Sequence, residues 1–86
     1  MTRSYICNQE VLDFIRGEVA QRVALPVTDV QAETGLIAAG LQSLDAVLIC
    51  GEVEDRFNVE LDPSTIFEHD TVGSFASAVT LLLNGK

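Results

Sequence analysis

Several residue types are scarce in this sequence of 86 residues, and each scarcity excludes a class of protein. Tryptophan is absent and aromatic residues make up only 6% of the chain, so a core must be built from aliphatic side chains. Two cysteines, Cys7 and Cys50, are too few for a disulfide scaffold, and they form no cluster with metal-ligand spacing. We therefore expect no metal site and two reduced thiols, with Cys50 packed in the core.

Basic residues are also few, because 5 lysines and arginines stand against 13 acidic residues and give a net charge of −8. Such a surface repels nucleic acid and anionic membranes, and it attracts basic patches on proteins. This charge suits a protein that visits several enzymes and dissociates from each. The simpler alternative is that the acidity only maintains solubility.

Long apolar runs are missing as well. None could span a bilayer, and residues 1–8 lack the apolar region of a signal peptide. We therefore expect a cytoplasmic protein without a membrane partner. The chain begins at Met1 and ends just after its last predicted helix, which favours a discrete protein with one domain over residues 1–86.

Helical periodicity is what the sequence does contain. A first helix is predicted to start at Asn8 as N-cap and to stop at Leu25-Pro26. Its apolar stripe consists of Val11, Leu12, Ile15, Val19 and Val23, with Phe14 at the edge. The chain from Pro26 to Gln42 is irregular and rich in turn residues, and it should form a long loop. Four apolar residues should pin this loop onto the bundle: Val30, Leu36, Ile37 and Leu41.

A second helix is predicted from Ser43 to Phe57. Its core face is formed by Ala46, Ile49, Cys50, Val53 and Phe57, with Val47 at the margin. Two leucines lie among acids on the opposite face, which favours a partner-docking patch of Leu44, Asp45, Leu48, Glu52 and Asp55. Isolated exposed leucines are common, so an ordinary solvated face is the alternative. Glu52 and Arg56 have the spacing of an i,i+4 ion pair.

The last third of the chain predicts a short helix and a long one. Asp62 should cap the short helix over Pro63–Phe67, with Ile66 and Phe67 plugging the bundle. Thr71 should cap the last helix, which ends at Asn84-Gly85. Its apolar arc consists of Val72, Phe75, Ala76, Val79, Leu82 and Leu83. The predicted fold is all-α, a small four-helix bundle of three main helices plus a short third helix, with a long first loop.

Ser43 lies where the long loop becomes a helix. A hydroxyl at that point stands beside unpaired backbone N–H groups and the positive end of a helix dipole. This is a favourable place to hold a phosphate. The alternative is that Ser43 only caps the helix.

Two motifs place Ser43 in a wider pattern. The run Ala-Gly-Leu-Gln-Ser-Leu-Asp-Ala-Val at positions 39–47 resembles the modification site of acyl and peptidyl carrier proteins. The run Ile-Phe-Glu-His-Asp-Thr-Val at positions 66–72 is similar to Leu-Phe-Glu-His-Pro-Thr-Val of carrier domains in polyketide and nonribosomal peptide synthases. Residues 54–61 resemble the acidic helix end of this family. The resemblance covers nearly the whole chain and implies an acyl-carrier-protein-like fold in a discrete carrier of specialised metabolism.

The resemblance also implies a cofactor and partners. A phosphopantetheinyl transferase would attach 4′-phosphopantetheine from coenzyme A to Ser43, and biosynthetic intermediates would be held on it as thioesters. Acyl- or aminoacyl-loading enzymes would dock on the chain, as would ketosynthase, other synthase or condensation enzymes. The chain itself would be a monomer without catalytic residues.

The chain departs from the family pattern at several positions. Gln42 replaces the usual Asp before the serine, which affects helix capping and the choice of transferase. Leu48 stands where fatty-acid-type carriers tend to place an acid, and Asp70 replaces a proline. Gly51 lies near the mouth of the family's acyl pocket, where a larger apolar residue is often found. It is expected either to open that mouth or to allow close helix contact.

Two other functions are weighed against the carrier. A serine hydrolase is rejected, because no nucleophile elbow surrounds Ser43 and His69 is the only candidate base. An acidic helical adaptor that binds a partner noncovalently stays open, and it includes a carrier relative that is no longer modified. This alternative predicts that Ser43→Ala leaves the function intact. A calcium-binding variant is excluded because no EF-hand loop is present.

Overall fold

The computed structural model describes residues 7–85, and four α-helices account for most of them. They are α1 (Asn8–Val23), α2 (Ser43–Phe57), α3 (Ser64–Phe67) and α4 (Val72–Asn84). A single 3₁₀ turn, Val27–Asp29, interrupts the long loop between α1 and α2. The predicted all-α bundle, with three main helices, a short third helix and a long first loop, is confirmed.

The core is aliphatic, as the low aromatic content predicts. The core face predicted for α2 is buried throughout, and from α1 the central residues Val11, Ile15 and Val19 are fully enclosed. Leu12 and Val23 of the predicted α1 stripe are partly buried against this core. The ring of Phe14 closes the edge by meeting Phe57 edge-on, with ring centroids 5.5 Å apart. An aromatic pair in this geometry adds about 1 kcal/mol to the burial of its area.

Helix α1 packs against α4 and α2. Thr80 Oγ1 of α4 donates a hydrogen bond of 2.9 Å to Asn8 Oδ1 at the start of α1. Arg56 near the end of α2 reaches the same region, with its Nη2 3.9 Å from Glu10 Oε2. Both α2 and α4 therefore run opposite to α1. None of the helices within residues 7–85 combines the length and apolar character that crossing a membrane requires.

The predicted ion pair between Glu52 and Arg56 is wrong. The guanidinium of Arg56 turns instead toward Glu10, and it lies 5.9 Å and 5.3 Å from the ring centroids of Phe14 and Phe57. Aromatic faces and a carboxylate from another helix outcompete an exposed i,i+4 partner, which contributes only a few tenths of a kcal/mol.

The ends of α1 differ from the prediction. Cys7, in an extended conformation, is the N-cap residue, and Asn8 is the first helical residue. Asn8 therefore lies one residue past the cap position, and its side-chain oxygen accepts the hydrogen bond from Thr80. At the other end, Ala24 adopts a left-handed conformation with φ of 61° and closes the helix before Leu25-Pro26.

The predicted cap of α4 is confirmed, whereas Pro63 rather than the predicted Asp62 occupies the N-cap position of α3. Asp62 Oδ1 accepts hydrogen bonds from Ser64 N at 3.0 Å and Ser64 Oγ at 2.9 Å, although α3 itself begins at Ser64 rather than Pro63. These bonds hold the pKa of the Asp62 carboxyl below its usual value. Thr71 Oγ1 accepts from Ser74 N at 3.1 Å and caps α4.

Three residues predicted to anchor the bundle are exposed instead: Ile37, Phe67 and Leu82. Their neighbours Leu36 and Ile66 are fully buried, as is the predicted anchor Val30, and the predicted anchor Leu41 is buried with 5% of its surface exposed. In a tight turn or a four-residue helix, adjacent side chains point in different directions, so burying one member of a pair exposes the other. Ile37 and Phe67 therefore point toward solvent, because their neighbours Leu36 and Ile66 occupy the core.

Arg16 of α1 fixes the beginning of the long loop. Its Nε donates to the carbonyl of Val30, and its Nη2 donates to the carbonyl of Val27 at 3.0 Å. Its Nη1 lies 3.3 Å from Asp13 Oδ1 on the same helix. One side chain therefore holds both ends of the 3₁₀ turn.

The middle of the loop is fixed by backbone pairing with the start of α4. Leu36 N donates to Asp70 O at 3.0 Å, Val72 N donates to Thr34 O at 2.9 Å, and Gly73 N donates to Ala32 O at 2.7 Å. An antiparallel bridge joins Gly35 to Thr71 at the centre. We call this pairing of residues 32–36 with residues 70–73 the loop strap.

Candidate functional site

Ser43 is the first residue of α2, and its side chain is exposed. A tight turn leads into it, with Gly40 N donating to Ile37 O at 3.0 Å and Leu41 N donating to Leu36 O at 3.2 Å. Gly40 has φ of 105°, a conformation that L side chains rarely adopt, so the turn requires glycine there. The turn buries Leu41 and leaves Ser43 at the surface.

Gln42, rather than Ser43, occupies the N-cap position of α2. Its backbone N–H donates to Asp45 Oδ2 at 3.1 Å, so the carboxylate at the third helical position reaches back over the helix start. The alternative interpretation of Ser43 as the cap is therefore wrong. Asp45 compensates for the poorer capping residue, and the Ser43 hydroxyl is left for other chemistry.

A shallow cavity of about 650 Å³ opens to solvent beside Ser43. It is lined by Ile37, Leu41, Gln42, Ser43, Leu44 and Phe67. Three of its apolar walls are exposed to an unusual degree, with Leu44 at 70%, Ile37 at 63% and Phe67 at 39%. The hydroxyl therefore sits at the border between a helix start, which favours negative charge, and an apolar depression.

The structure places the predicted docking residues along one side of α2. Leu44 and Asp45 adjoin Ser43, while Leu48 is 48% exposed one turn further along. Glu52 and Asp55 are also exposed. At about 1.5 Å per residue, Asp55 lies about 18 Å from Ser43 along the helix axis, so the patch extends over most of α2.

The charge around this patch is one-sided. Eight of the 13 acidic residues lie between positions 43 and 71, against a single arginine, Arg56. That arginine turns toward Glu10 of α1. The second half of the chain therefore offers exposed leucines within an acidic field that attracts basic surfaces.

The groups that could assist hydrolytic chemistry are engaged elsewhere. His69 Nδ1 lies 2.8 Å from Ser74 Oγ, and its ring lies 6.1 Å from that of Phe75. Burial, together with the nearby Glu54 and Asp62 carboxylates, raises the pKa of the Cys50 thiol to about 11. A buried thiol with that pKa stays protonated at neutral pH and does not act as a nucleophile.

Gly51 lies on the exposed side of α2, and a Cβ added there would meet no atom within 4 Å. The expectation of close helix contact at this position is therefore wrong. Gly51 is not among the residues that line the cavity beside Ser43. A role for Gly51 at the mouth of an acyl pocket stays a prediction.

Sequence reasoning missed two walls of the cavity and one structural glycine. Ile37 and Phe67 looked like core residues because both are large and apolar, and no local pattern separates them from their buried neighbours. Gly73 was hidden within the last helix, where its contact with Ala32 depends on a distant segment. Gly73 is the second residue of α4, so the cost of about 1 kcal/mol for a glycine in a helix interior gives no signal at this position.

Comparison with known proteins agrees with this geometry. Residues 13–79 match the family model described as the phosphopantetheine attachment site. The chain is 36% identical over 80 residues to acyl carrier protein 3 of Ralstonia nicotianae, and the match covers 92% of each protein. It is 31% identical over 64 residues to the conidial yellow pigment biosynthesis polyketide synthase of Emericella nidulans, covering 74% of this chain and 3% of that protein.

A solved structure shows the same fold. The free-standing peptidyl carrier protein from an uncharacterised secondary metabolic pathway of Acinetobacter baumannii superimposes with a TM-score of 0.79. The match covers 90% of this chain and 94% of that one, at 21% identity. At this level of identity the likeness concerns the arrangement of helices.

Proposed function

The chain belongs to the phosphopantetheine-attachment family of acyl and peptidyl carrier proteins, and from that premise we propose that its 4′-phosphopantetheine is attached to the hydroxyl of Ser43. The observation that carries this proposal is the exposed serine at the first position of α2, beside an apolar cavity and within the family match. Carrier proteins of this family are not catalysts in themselves. We extend this to the present chain, which uses no catalytic residue of its own.

The residues around Ser43 fit such a group. The first backbone N–H groups of a helix lack intrahelical acceptors, and they favour a phosphodiester on the adjoining hydroxyl. The apolar walls formed by Ile37, Leu44 and Phe67 suit the hydrocarbon part of pantetheine, which follows the phosphate. When bound, the group supplies a thiol that carries acyl or aminoacyl intermediates as thioesters.

In the transfer reaction, Ser43 Oγ forms the bond to phosphorus and loses its proton, while the nucleotide part of coenzyme A leaves. Nothing within this chain needs to act as base, and the transferase supplies that group. Gln42 and Asp45 contribute by capping α2, which keeps Ser43 at a fixed helix start.

The partner surface in this proposal is the predicted docking patch, consisting of Leu44, Asp45, Leu48, Glu52 and Asp55. Its support is the exposure of Leu44, which adjoins Ser43, and of Leu48 one turn further along, together with the acidic surroundings. Such a surface binds modestly and in a salt-sensitive way, because exposed charges are screened over about 10 Å at 0.1 M salt. The phosphopantetheinyl transferase, loading enzymes, and synthase or condensation enzymes would all meet this surface.

The metabolic setting we propose is specialised metabolism, either polyketide or nonribosomal peptide biosynthesis. Carrier domains act with synthase partners, as in the polyketide synthase of Emericella nidulans, and the Phe-Glu-His run at positions 67–69 resembles that of such synthases. We further propose a monomeric, single-domain carrier of the cytoplasm, a location that suits the two free thiols.

Intact-protein mass spectrometry tests the attachment site. The wild-type chain is incubated with coenzyme A, Mg²⁺ and a broad-specificity phosphopantetheinyl transferase, beside Ser43→Ala and the matched control Ser77→Ala on the exposed side of α4. Wild type and Ser77→Ala should gain the mass of one phosphopantetheine, and Ser43→Ala should gain none. An unmodified wild-type chain, shown to be folded and treated with several transferases, would refute the proposal and favour the noncovalent adaptor.

A further inference from the structure

The two halves of the loop strap continue directly into the two walls of the cavity beside Ser43. On one side, Leu36 is followed by Ile37, and Leu36 O accepts from the backbone N–H of Leu41 at 3.2 Å. On the other side, Phe67 of α3 lies three residues before Asp70, and the backbone N–H groups of Glu68 and His69 donate to Thr65 O at 3.1 Å and Ile66 O at 3.2 Å at the end of α3. We therefore expect a change in the spacing of the strap to move Ile37 and Leu41 relative to Phe67.

The strap closes most tightly at Gly73. A Cβ at this position would lie 2.9 Å from Ala32 O and 3.0 Å from Ala32 Cβ. Real Cβ atoms essentially never approach other heavy atoms more closely than 3.0 Å, and a backbone carbonyl cannot rotate away as a flexible side chain can. A side chain at residue 73 would therefore push the two halves of the strap apart.

Gly73 differs in this respect from the other glycines within helices. Added Cβ atoms at Gly17 of α1 and Gly51 of α2 would meet nothing within 4 Å. Packing does not require a glycine at either of those positions, whereas at Gly73 the strap closes only without a side chain. The backbone hydrogen bond from Gly73 N to Ala32 O, at 2.7 Å, is the shortest of the three across the strap.

We propose that Gly73 is a positioning residue for the attachment site: by lacking a side chain it lets the loop strap close, and the closed strap sets the distance between the cavity walls on either side of Ser43. This inference rests on the proposed function for its consequence in arm transfer. Its structural part concerns the unmodified chain alone. The strap holds the turn before Ser43 and the segment after α3 at a fixed distance. The position of the Ser43 hydroxyl and the shape of the apolar cavity are therefore set together before any partner binds.

The test compares Gly73→Ala with two controls. Gly17→Ala adds the same methyl group to a helix glycine with open space around it. Val19→Ala removes fully buried side-chain volume from α1 and lowers stability at a residue that belongs neither to the strap nor to the lining of the cavity. The first readout is the set of backbone amide NMR signals of the unmodified protein. The second is kcat/KM for transfer from coenzyme A, measured where circular dichroism shows every variant to be folded.

Gly73→Ala should shift the amide signals of Ile37, Leu41 and Phe67, and both controls should leave these signals in place. It should lower kcat/KM for transfer about 10-fold to 100-fold, mainly through kcat, because misplacing a reacting group by about 1 Å can cost as much as 10²-fold. Val19→Ala should transfer at the wild-type rate despite its lower stability.

Two results would overturn the inference: unmoved signals at the cavity walls, or a transfer rate for Gly73→Ala equal to that of Val19→Ala. If Gly73→Ala does not fold, Gly35→Ala takes its place. A Cβ at this residue of the strap would lie 3.6 Å from Asp70 O across the strap and 3.2 Å from Ala38 Cβ in the turn that follows it. Gly35→Ala should move the same signals by less. A wild-type chain that is never modified would refute the proposed function, while the signal shifts would still decide the role of the strap.

Discussion

Replacing Arg16 by methionine should release the first part of the loop that leads to Ser43. The substitution keeps the apolar stem and removes the guanidinium, which donates to the carbonyls of Val27 and Val30. Charge-assisted hydrogen bonds of this kind contribute about 1.5–3 kcal/mol each when they are shielded from water. The side chain of Arg16 is 21% exposed, so we discount this for solvent screening to about 1 kcal/mol per bond.

The expected loss in the free energy of unfolding is therefore about 2 kcal/mol. For a domain of this size, 1 kcal/mol corresponds to about 4–8 °C in Tm, so the midpoint should fall by about 8–16 °C. Urea unfolding followed by circular dichroism measures the free energy, and amide hydrogen exchange locates the change. The amides of Asp29 and Val30, which bond to Pro26 O and Val27 O, should exchange faster than those of α1.

Asp13→Ala is the matched control, because it removes the 3.3 Å ion pair with Arg16 and leaves both carbonyl contacts in place. Asp13 is exposed, so this variant should lose no more than about 0.5 kcal/mol. If Arg16→Met loses no more than Asp13→Ala, the carbonyl contacts do not hold the loop and the reasoning fails.

Three further predictions concern α2. Because the pKa of Cys50 rises from 9.0 in the unfolded chain to about 11, the unfolded state binds fewer protons between these pH values. The free energy of unfolding should therefore fall by about 2 kcal/mol across that window in wild type and not in Cys50→Ala, as urea titrations at each pH would show. Leu48→Glu should raise the KM of the transferase for the carrier about 10-fold, which corresponds to a loss of about 1.4 kcal/mol in binding free energy. The control Leu81→Glu on α4 should leave this KM unchanged. Equal KM values for the two variants would contradict the docking patch. Asp45→Ala should lower the free energy of unfolding by about 1 kcal/mol, as measured by thermal unfolding, because it removes the hydrogen bond to the N-cap residue. Asp55→Ala near the other end of α2 should lower it by about a few tenths of a kcal/mol at most. Equal losses would argue against capping by Asp45.

Local patterns predicted the helices well. The bounds of α2 follow from a loop rich in breakers on one side and Asn58 on the other, which adopts a left-handed conformation with φ of 57°. Its core face follows from 3.6-residue periodicity alone, and all five predicted members are buried. The cap at Thr71 was also predictable, as was a local role of Asp62 at the start of α3, because both depend on bonds between residues within three positions.

Contacts between distant segments were not predictable in the same way. Arg56 pairs with Glu10 rather than with Glu52 because the fold brings α1 beside it. Asn8 accepts a hydrogen bond from Thr80 because the fold brings α4 beside the start of α1. The loop strap is made of backbone groups, which every residue carries, so it has no signature in residue types. The cavity depends on this pairing. The sequence therefore indicated Ser43 but not the walls of Ile37 and Phe67 around it.

The strap also has a consequence for the order of events during protein synthesis. Asp70 follows Leu36 by 34 residues, and Gly73 comes later still. During translation Ser43 therefore leaves the ribosome before residues 70–73, which form the second half of the loop strap. Translation proceeds at about 5–20 residues per second, which leaves an interval in which the serine exists on a nascent chain without its final surroundings. The fold thereby links presentation of the serine to completion of the last helix, and a truncated chain that ends before residue 70 should be a poor substrate for modification.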